Sequence, residues 1–287
     1  MERFYLLAPA LLLTGAFTIG LVIFTTLTVL GKSPELAGAK HNQLFGPFFG
    51  RFLVWMMLPL ERLLIGRVSA NAITAFSLFL CAVTGVAAAT GHLVVALWTY
   101  AFAGILDALD GRIARLNGEQ TQAGALFDSV SDRWSELFMF TGYLWYLHDS
   151  PWMLAVMAAC GGSMMVSYTR ARAEGLGVEL RGGMMQRAER IVLITGGALV
   201  AAWCAIGPDT AHLAGPAIGV TMLVCGVTSG ATAITRWVSA YRVLANQARQ
   251  AKRAASEPES QVSSDDSATA KLPFVPQKLR ESAELGI

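Results

Sequence analysis

The sequence predicts an all-α protein that crosses a membrane several times. Of its 287 residues, 54% are hydrophobic and only 15% are charged, and the mean hydropathy is +0.49. Soluble domains carry about 25% charged residues, so a soluble fold is disfavoured. The apolar residues fall in long blocks, most of which approach the ~20 residues that a helix needs to cross a bilayer. The predicted spans are residues 4–30, 72–90, 93–106, 125–147, 152–168, 191–206 and 213–234.

The distribution of Lys and Arg predicts which ends of the spans face the cytoplasm. The turns around residues 91–92, 148–151 and 207–209 contain neither Lys nor Arg, whereas the connections on the opposite side are rich in Arg. Positively charged residues accumulate in cytoplasmic loops. We therefore expect a multi-pass protein of the cell (inner) membrane, with its N-terminus exported and its Arg-rich ends facing the cytoplasm.

Composition divides the chain into four regions. Residues 1–31 predict an extra N-terminal transmembrane anchor, since their apolar run is too long for a typical signal peptide. Residues 32–71 form a cytoplasmic segment, and the mixture of apolar residues with Arg51, Glu61 and Arg62 indicates an amphipathic helix in the membrane interface or, equally, a buried bundle helix. Residues 72–243 hold the other six spans. Residues 244–287, rich in Ser, Glu, Asp, Lys and Pro, predict a disordered polar tail.

Four aspartates stand out against this apolar background. They occur in the pattern Asp107-x2-Asp110-Gly111-x2-Ala114-Arg115-x8-Gly124-x3-Asp128-x3-Asp132. Helical steps of three or four residues return to the same face, so the first two aspartates share a face, as do the last two. If the two helices are antiparallel neighbours, four carboxylates meet at the cytoplasmic rim. Oxygen ligands suit hard cations such as Mg²⁺ or Mn²⁺, and two such ions could clamp a phosphate.

Acids that only stabilise the bundle, paired with Arg112, Arg115 and Arg133, are the alternative to a metal site. Any single aspartate fits that interpretation, but four at this spacing favour function, as ionisable residues inside a membrane generally do. Gly111 lets a ligand approach the backbone, and Arg115, about one turn later, is a suitable phosphate partner. The four cysteines lie within spans without ligand spacing, so no zinc site is expected.

The aspartate motif resembles the signature of the CDP-alcohol phosphotransferases, and the resemblance covers roughly residues 48–242. It implies a six-helix membrane domain, usually dimeric, that transfers a phosphatidyl group from a CDP-linked lipid to an alcohol and releases CMP. It also implies that the four aspartates hold two divalent ions, with Asp132 acting as the base for the acceptor hydroxyl. The residues implied to contact the CDP lipid are Asn71, Thr74, Gly111, Arg115, Thr121 and Gly124. From the sequence alone, Asn71 could equally be a helix N-cap.

A second cluster, of arginines, bears on the acceptor alcohol. This cluster lies at the cytoplasmic ends of the fifth and sixth predicted spans and comprises Arg170, Arg172, Arg187 and Arg190. The accumulation of positive residues in cytoplasmic loops would by itself place some of them there. Four that converge would hold a phosphate, so the acceptor is expected to carry one. The segments 171–174 and 187–190 resemble the phosphatidylinositol phosphate synthase branch of the family, which implies myo-inositol phosphate.

Two alternatives remain open at this point. The first is a phosphatidylglycerophosphate synthase that uses glycerol 3-phosphate. The second is a non-catalytic membrane scaffold, which the complete set of four aspartates disfavours. Expected partners are CDP-diacylglycerol, the phosphorylated alcohol, membrane lipids and a second copy of the chain. No nucleic-acid partner is expected, because the net charge is only +2 and the basic residues are placed to meet lipid headgroups.

Overall fold

The computed structural model describes residues 8–31, 46–180, 183 and 185–256, and within them it contains helices and no strands. The all-α prediction is therefore confirmed. A 3₁₀ turn at Ala211–Leu213 precedes the last helix. The helices are α1 (Ala8–Val29), α2 (Gly46–Leu64), α3 (Ala70–Ala89), α4 (Leu93–Asn117), α5 (Gln122–Tyr146), α6 (Met153–Gly175), α7 (Arg187–Ile206) and α8 (Ala214–Ser256).

Within the part of the chain that the structure describes, four helical segments are long and apolar enough to cross a membrane. They are α3, α4, α7 and the segment Ala211–Arg253 that contains most of α8. These segments confirm a multi-pass membrane protein. The predicted spans in α5 and α6 fall outside this set. For α5 the reason is its charge, since Asp128, Asp132, Arg133 and Glu136 lower its hydropathy. Helix α1 has 22 residues, of which Thr18–Val29 form an apolar helical stretch.

Two helices extend beyond their predicted ends. Helix α4 continues beyond the apolar span 93–106, through the aspartate motif as far as Asn117, in agreement with the helical spacing of the aspartates. It ends at Gly118, whose φ of 69° lies in the left-handed region that favours glycine. Helix α8 continues to Ser256, past residue 244 where the disordered tail was predicted to begin, because Gln, Arg, Lys and Ala are good helix formers. Residues 244–256 are thus helical, and residues 257–287 of the predicted tail lie outside the described residues.

Helix α3 is the main neighbour of both α4 and α5. Helices α4 and α5 meet beside it, where carboxylate oxygens of Asp107 and Asp110 from α4 lie within 4.8 Å of one of Asp128 from α5. Between α3 and α4, the Ser77 hydroxyl donates to the Ala103 carbonyl at 2.9 Å. Between α3 and α5, the backbones meet at Gly85 and Gly142, where a Cβ on either residue would clash with the backbone of the other helix. Small residues at such crossings let membrane helices pack closely.

Helix α2 is attached to α4 by a buried ion pair. The Arg112 Nε atom lies 2.6 Å from Glu61 Oε2, and Glu61 is only 8% exposed. On its other side, α2 packs against α1 through aromatic contacts of Phe24 with Phe52 and Trp55. The polar residues of α2 thus serve contacts within the protein as well as a membrane-facing surface, and the interpretation as a bundle helix gains support. The chain divides into two compact units, Met1–Leu244 and Ala245–Ile287.

The crossing of α3 and α5 predicts a stability difference between two glycine substitutions. Gly142→Ala should destabilise the protein by about 1–3 kcal/mol, because the added methyl group overpacks the contact with Gly85. Gly161→Ala on α6 is the matched control, since nothing lies within 4 Å of its added Cβ. Thermal unfolding of the purified variants in detergent measures the stability of each relative to the wild type. Equal melting temperatures for the two variants would contradict the close crossing.

Candidate active site

Three aspartates from two helices meet at one point. Asp107 and Asp110 of α4 and Asp128 of α5 each offer a carboxylate oxygen, and these oxygens lie within 4.8 Å of one another. Asp110 is buried, whereas Asp107 and Asp128 are half-buried. A group of three carboxylates matches the oxygen ligands that Mg²⁺ and Mn²⁺ prefer. The chemistry of the donors therefore fits the expected type of ion.

Helix α3 orients one of these acids. The Thr74 hydroxyl donates to Asp110 Oδ2 at 2.7 Å, and the Gly111 backbone N–H lies 2.5 Å from Asp110 Oδ1. Thr74 is one turn after the start of α3, and it is buried. The sequence suggested Thr74 as a contact for the CDP lipid. In the structure, its hydroxyl fixes the carboxylate of a candidate metal ligand.

Asp132 is linked to the three-acid group through an arginine. Arg187, the first residue of α7, places its Nη2 atom 2.8 Å from Asp107 Oδ1 and its Nη1 atom against Asp132 Oδ1. The other Asp132 oxygen lies 3.5 Å from Arg133 Nη2. The spacing suggested that all four aspartates meet directly. In the structure three of them do, and Asp132 is joined to Asp107 through Arg187. A guanidinium connects α4, α5 and α7 because acids in this apolar setting need a countercharge.

A second ion pair lies deeper, between α5 and α7. Arg190 Nη2 is 2.5 Å from Glu136 Oε1, and the side chains of both residues are more than nine-tenths buried. Arg133 Nη1 approaches the other oxygen of Glu136 at 3.5 Å. Arg190 was expected to bind the acceptor phosphate, but the structure places it inside the bundle on a carboxylate. Sequence reasoning missed this use because spacing alone does not show which side of α7 is buried.

The four arginines of the second cluster are therefore divided. Arg187 and Arg190 are paired with acids in the bundle, whereas Arg170 and Arg172 are exposed at the C-terminal end of α6. Arg170 pairs with Glu174 one turn later at 2.8 Å, a surface contact that is easily exchanged. Of the four, Arg187 is the one that joins the arginine cluster to the aspartates.

The remaining candidate contacts for the CDP lipid lie at the starts of α3 and α5. Ser69 caps α3 by accepting from the Ala72 backbone N–H, so Asn71 is not the N-cap. Thr121 caps α5 in the same way through Gly124. Asn71 is exposed, and its Oδ1 lies 3.5 Å from the position that a Cβ on Gly124 would take. The absence of a side chain at Gly124 thus keeps open the space between the two helix starts.

Gly111 and Arg115 lie on the same side of α4. A Cβ on Gly111 would lie 3.6 Å from Arg115 Nη1, and Arg115 is exposed. The guanidinium therefore extends back over the glycine, beside Asp110. This arrangement leaves a positively charged group next to an open stretch of backbone, as binding of a phosphate requires.

A small cavity of about 20 Å³ adjoins the aspartates, with room for about one water. It is bordered by α3, α4, α5 and α7. The Arg187 Nε and Glu136 Oε2 atoms are both buried without a hydrogen-bond partner. The polar side chains that line the cavity are Ser77, Cys81, Tyr100, Asp107, Ser135, Glu136, Arg187 and Arg190.

Comparison with known proteins gives consistent matches. Residues 67–228 match the family model described as CDP-alcohol phosphatidyltransferase. An archaetidylinositol phosphate synthase of Methanothermobacter thermautotrophicus is 35% identical over 58% of this chain and 80% of its own length. A phosphatidylinositol phosphate synthase of Mycobacterium tuberculosis is 33% identical over 46% of this chain. This chain covers 60% of that relative, less than two thirds of its length.

Solved structures agree in fold. The crystal structure of the Mycobacterium tuberculosis phosphatidylinositol phosphate synthase with CDP-DAG bound has a TM-score of 0.56 and 27% identity, covering 65% of this chain and 94% of that chain. The same enzyme in complex with manganese and citrate also has a TM-score of 0.56, with 28% identity over 64% of this chain and 88% of that chain. The membrane fold implied by the aspartate motif is therefore confirmed.

The buried pair of Glu136 and Arg190 predicts a large effect on stability. Glu136→Ala should destabilise the protein by about 3–5 kcal/mol, because it leaves the buried Arg190 without its carboxylate. Glu174→Ala removes the partner of Arg170 on the exposed end of α6 and should cost at most about 1 kcal/mol. Denaturant or thermal unfolding compares the two variants. A small effect of Glu136→Ala, like that of the control, would show that Arg190 is not held by this pair.

Proposed function

The chain belongs to the CDP-alcohol phosphatidyltransferase family, and we propose that it transfers a phosphatidyl group from CDP-diacylglycerol to the hydroxyl of a phosphorylated alcohol. The observation that carries the proposal is the meeting of Asp107, Asp110 and Asp128, with Asp132 joined to them through Arg187. A scaffold would have no need to concentrate acids in an apolar bundle. The structure of a homologous synthase bears CDP-DAG, which supports this choice of donor.

Asp107, Asp110, Asp128 and Asp132 are the proposed ligands of two divalent ions, Mg²⁺ or alternatively Mn²⁺. Bound there, such ions would neutralise the diphosphate and the charge on the departing CMP. The manganese complex of a homologous synthase supports divalent metal use. Within this chain, Thr74 keeps Asp110 oriented for that role through the 2.7 Å hydrogen bond to its Oδ2.

Asp132 is the proposed base for the acceptor. An alcohol is a weak nucleophile at neutral pH and needs a positioned group to take its proton. The Asp132 carboxylate would accept that proton as the hydroxyl oxygen bonds to the lipid-linked phosphorus. The bond between that phosphorus and the oxygen of CMP then breaks, and CMP leaves with the electron pair. The half-buried position of Asp132 limits competition from bulk water.

The donor and acceptor would lie on opposite sides of the acids. For the donor, the proposed contacts are at the starts of α3 and α5 and on α4, and they comprise Asn71, Thr74, Gly111, Arg115, Thr121 and Gly124. For the acceptor phosphate, Arg187 is the central residue, with exposed Arg170 and Arg172 on the α6 side. We assign Arg190 an indirect part, because its pairing with Glu136 anchors the turn of α7 that carries Arg187.

Myo-inositol phosphate is the acceptor that we favour. Relatives named phosphatidylinositol phosphate synthase and archaetidylinositol phosphate synthase support it. Glycerol 3-phosphate remains the second candidate, because the arginines would recognise a phosphate on either molecule. The Arg-rich ends of the helices support placement of this site on the cytoplasmic side of the inner membrane.

The assignment of Asp132 predicts a selective loss of activity. Asp132→Asn should lower CMP release from CDP-diacylglycerol by at least about 100-fold with Mg²⁺ and myo-inositol phosphate, because the amide cannot take the proton. Asp149→Asn is the matched control, because Asp149 lies in the turn after α5 and its side chain is 89% exposed. The activity of this variant should equal that of the wild type. Near-normal turnover by Asp132→Asn would refute its role as base.

An acceptor panel tests the substrate. Purified protein with CDP-diacylglycerol and Mg²⁺ should release CMP faster with myo-inositol 1-phosphate than with glycerol 3-phosphate, and much more slowly with free myo-inositol. The phosphate-free compound lacks the group that the arginines would bind. Faster release with glycerol 3-phosphate would replace the favoured acceptor with the second candidate. No release with any alcohol would contradict the enzymatic proposal itself.

A further inference from the structure

Arg187 touches two of the proposed metal ligands at once. Its Nη2 atom lies 2.8 Å from Asp107 Oδ1, and its Nη1 atom contacts Asp132 Oδ1. The three side chains come from α7, α4 and α5, and each is about one-fifth exposed or less. The guanidinium is thus a resident cation of the acid cluster. It neutralises charge where the proposed function requires a metal ion.

Both oxygens of Asp132 already lie near a cation. Its Oδ1 atom contacts Arg187, and its Oδ2 atom is 3.5 Å from Arg133 Nη2. The contact with Arg133 is the weaker one, and Arg133 also reaches Ser167 and Glu136. A divalent ion bound by Asp107 and Asp132 would repel the Arg187 guanidinium that contacts the same two carboxylates, so the two cations compete for this position. The exchange is between two cations on one carboxylate, so it leaves no acid without a countercharge.

Arg187 is also incompletely satisfied in its present position. Its Nε atom is buried without a hydrogen-bond partner, and the side chain borders the small cavity beside Asp107. A guanidinium can donate five hydrogen bonds, and a phosphate accepts two of them side by side. The acceptor phosphate would therefore give Arg187 a partner that replaces the acids it leaves.

We propose that Arg187 couples metal binding to acceptor binding: a divalent ion displaces it from Asp107 and Asp132, and the released guanidinium binds the acceptor phosphate. This inference rests on the proposed function, which supplies the metal and the phosphorylated acceptor. By linkage, each ligand should then strengthen the binding of the other by the same factor. The coupling also frees Asp132 from Arg187 when both substrates are present, as a base requires.

Metal binding without lipid substrate tests the exchange. Mn²⁺ affinity is measured on the full-length protein in detergent, by the EPR signal of free Mn²⁺. Arg187→Gln should bind Mn²⁺ at least about fivefold more tightly than the wild type, because the metal no longer displaces an ion pair. Arg67→Gln is the control for the loss of one positive charge. Arg67 is exposed and its Nη1 donates to the Leu63 carbonyl, so the Mn²⁺ affinity of this variant should equal that of the wild type.

Arg187→Lys separates direct exchange from simple repulsion. Lysine keeps the charge but lacks the planar fork that joins two carboxylates. The account therefore expects an Mn²⁺ affinity between those of the wild type and Arg187→Gln. An affinity of Arg187→Lys equal to that of the wild type would show that only charge matters, and it would overturn the exchange. So would an unchanged affinity of Arg187→Gln.

Coupling is measured by repeating the titration with myo-inositol 1-phosphate, glycerol 3-phosphate or inorganic phosphate. The wild type should bind Mn²⁺ several-fold more tightly with a phosphorylated alcohol, and Arg187→Gln should show no such gain. No gain in the wild type, or an equal gain in Arg187→Gln, would overturn the coupling. A gain of the wild type with inorganic phosphate as well would support recognition of the phosphate group itself. CMP release in the acceptor panel is a separate readout, so failure of the coupling is distinguishable from failure of the proposed function.

Discussion

Charge pairing inside an apolar bundle is the constraint on which the rest of the structure depends. An isolated ion in such surroundings costs several kcal/mol, and arginines accordingly lie against Glu61, Asp107, Asp132 and Glu136. Arg187 joins Asp107 of α4 to Asp132 of α5, and the pair of Arg190 with Glu136 fastens α7 to α5 one turn deeper. These contacts set the relation of the three helices and therefore the shape of the site between them.

The same constraint explains how one end of the bundle can be polar while the rest is apolar. Helix α3 lies against both α4 and α5, and its close crossing at Gly85 and Gly142 holds them without adding a polar contact. Near its start, Thr74 supplies the hydrogen bond to Asp110. Apolar packing of the helices thus supports a short polar layer at one end of the bundle. The side chains of this layer would bind a divalent cation and a phosphate without large rearrangement of the helices. Preorganised charges of this kind favour catalysis of phosphate chemistry.

The sequence was sufficient to predict the helices and the acids but not the partners of the acids. Hydropathy locates α3, α4 and α7, and helical spacing brings Asp107 and Asp110 to one face. Neither property shows which helix lies beside which, so the close packing of α3 against α5 could not be predicted. Nor does spacing show that Arg190 is buried on Glu136. Those choices depend on three-dimensional packing among helices that are far apart in the chain.

The central claim is that the aspartates bind a divalent metal ion in a state where Arg187 has moved. An anomalous difference map from crystals grown with Mn²⁺ and a phosphorylated alcohol tests it most directly. The expected map has a manganese peak among Asp107, Asp110 and Asp128, with Arg187 no longer on Asp132 and instead on the acceptor phosphate. A map with no peak at these aspartates, or a peak with Arg187 still bridging Asp107 and Asp132, would contradict it.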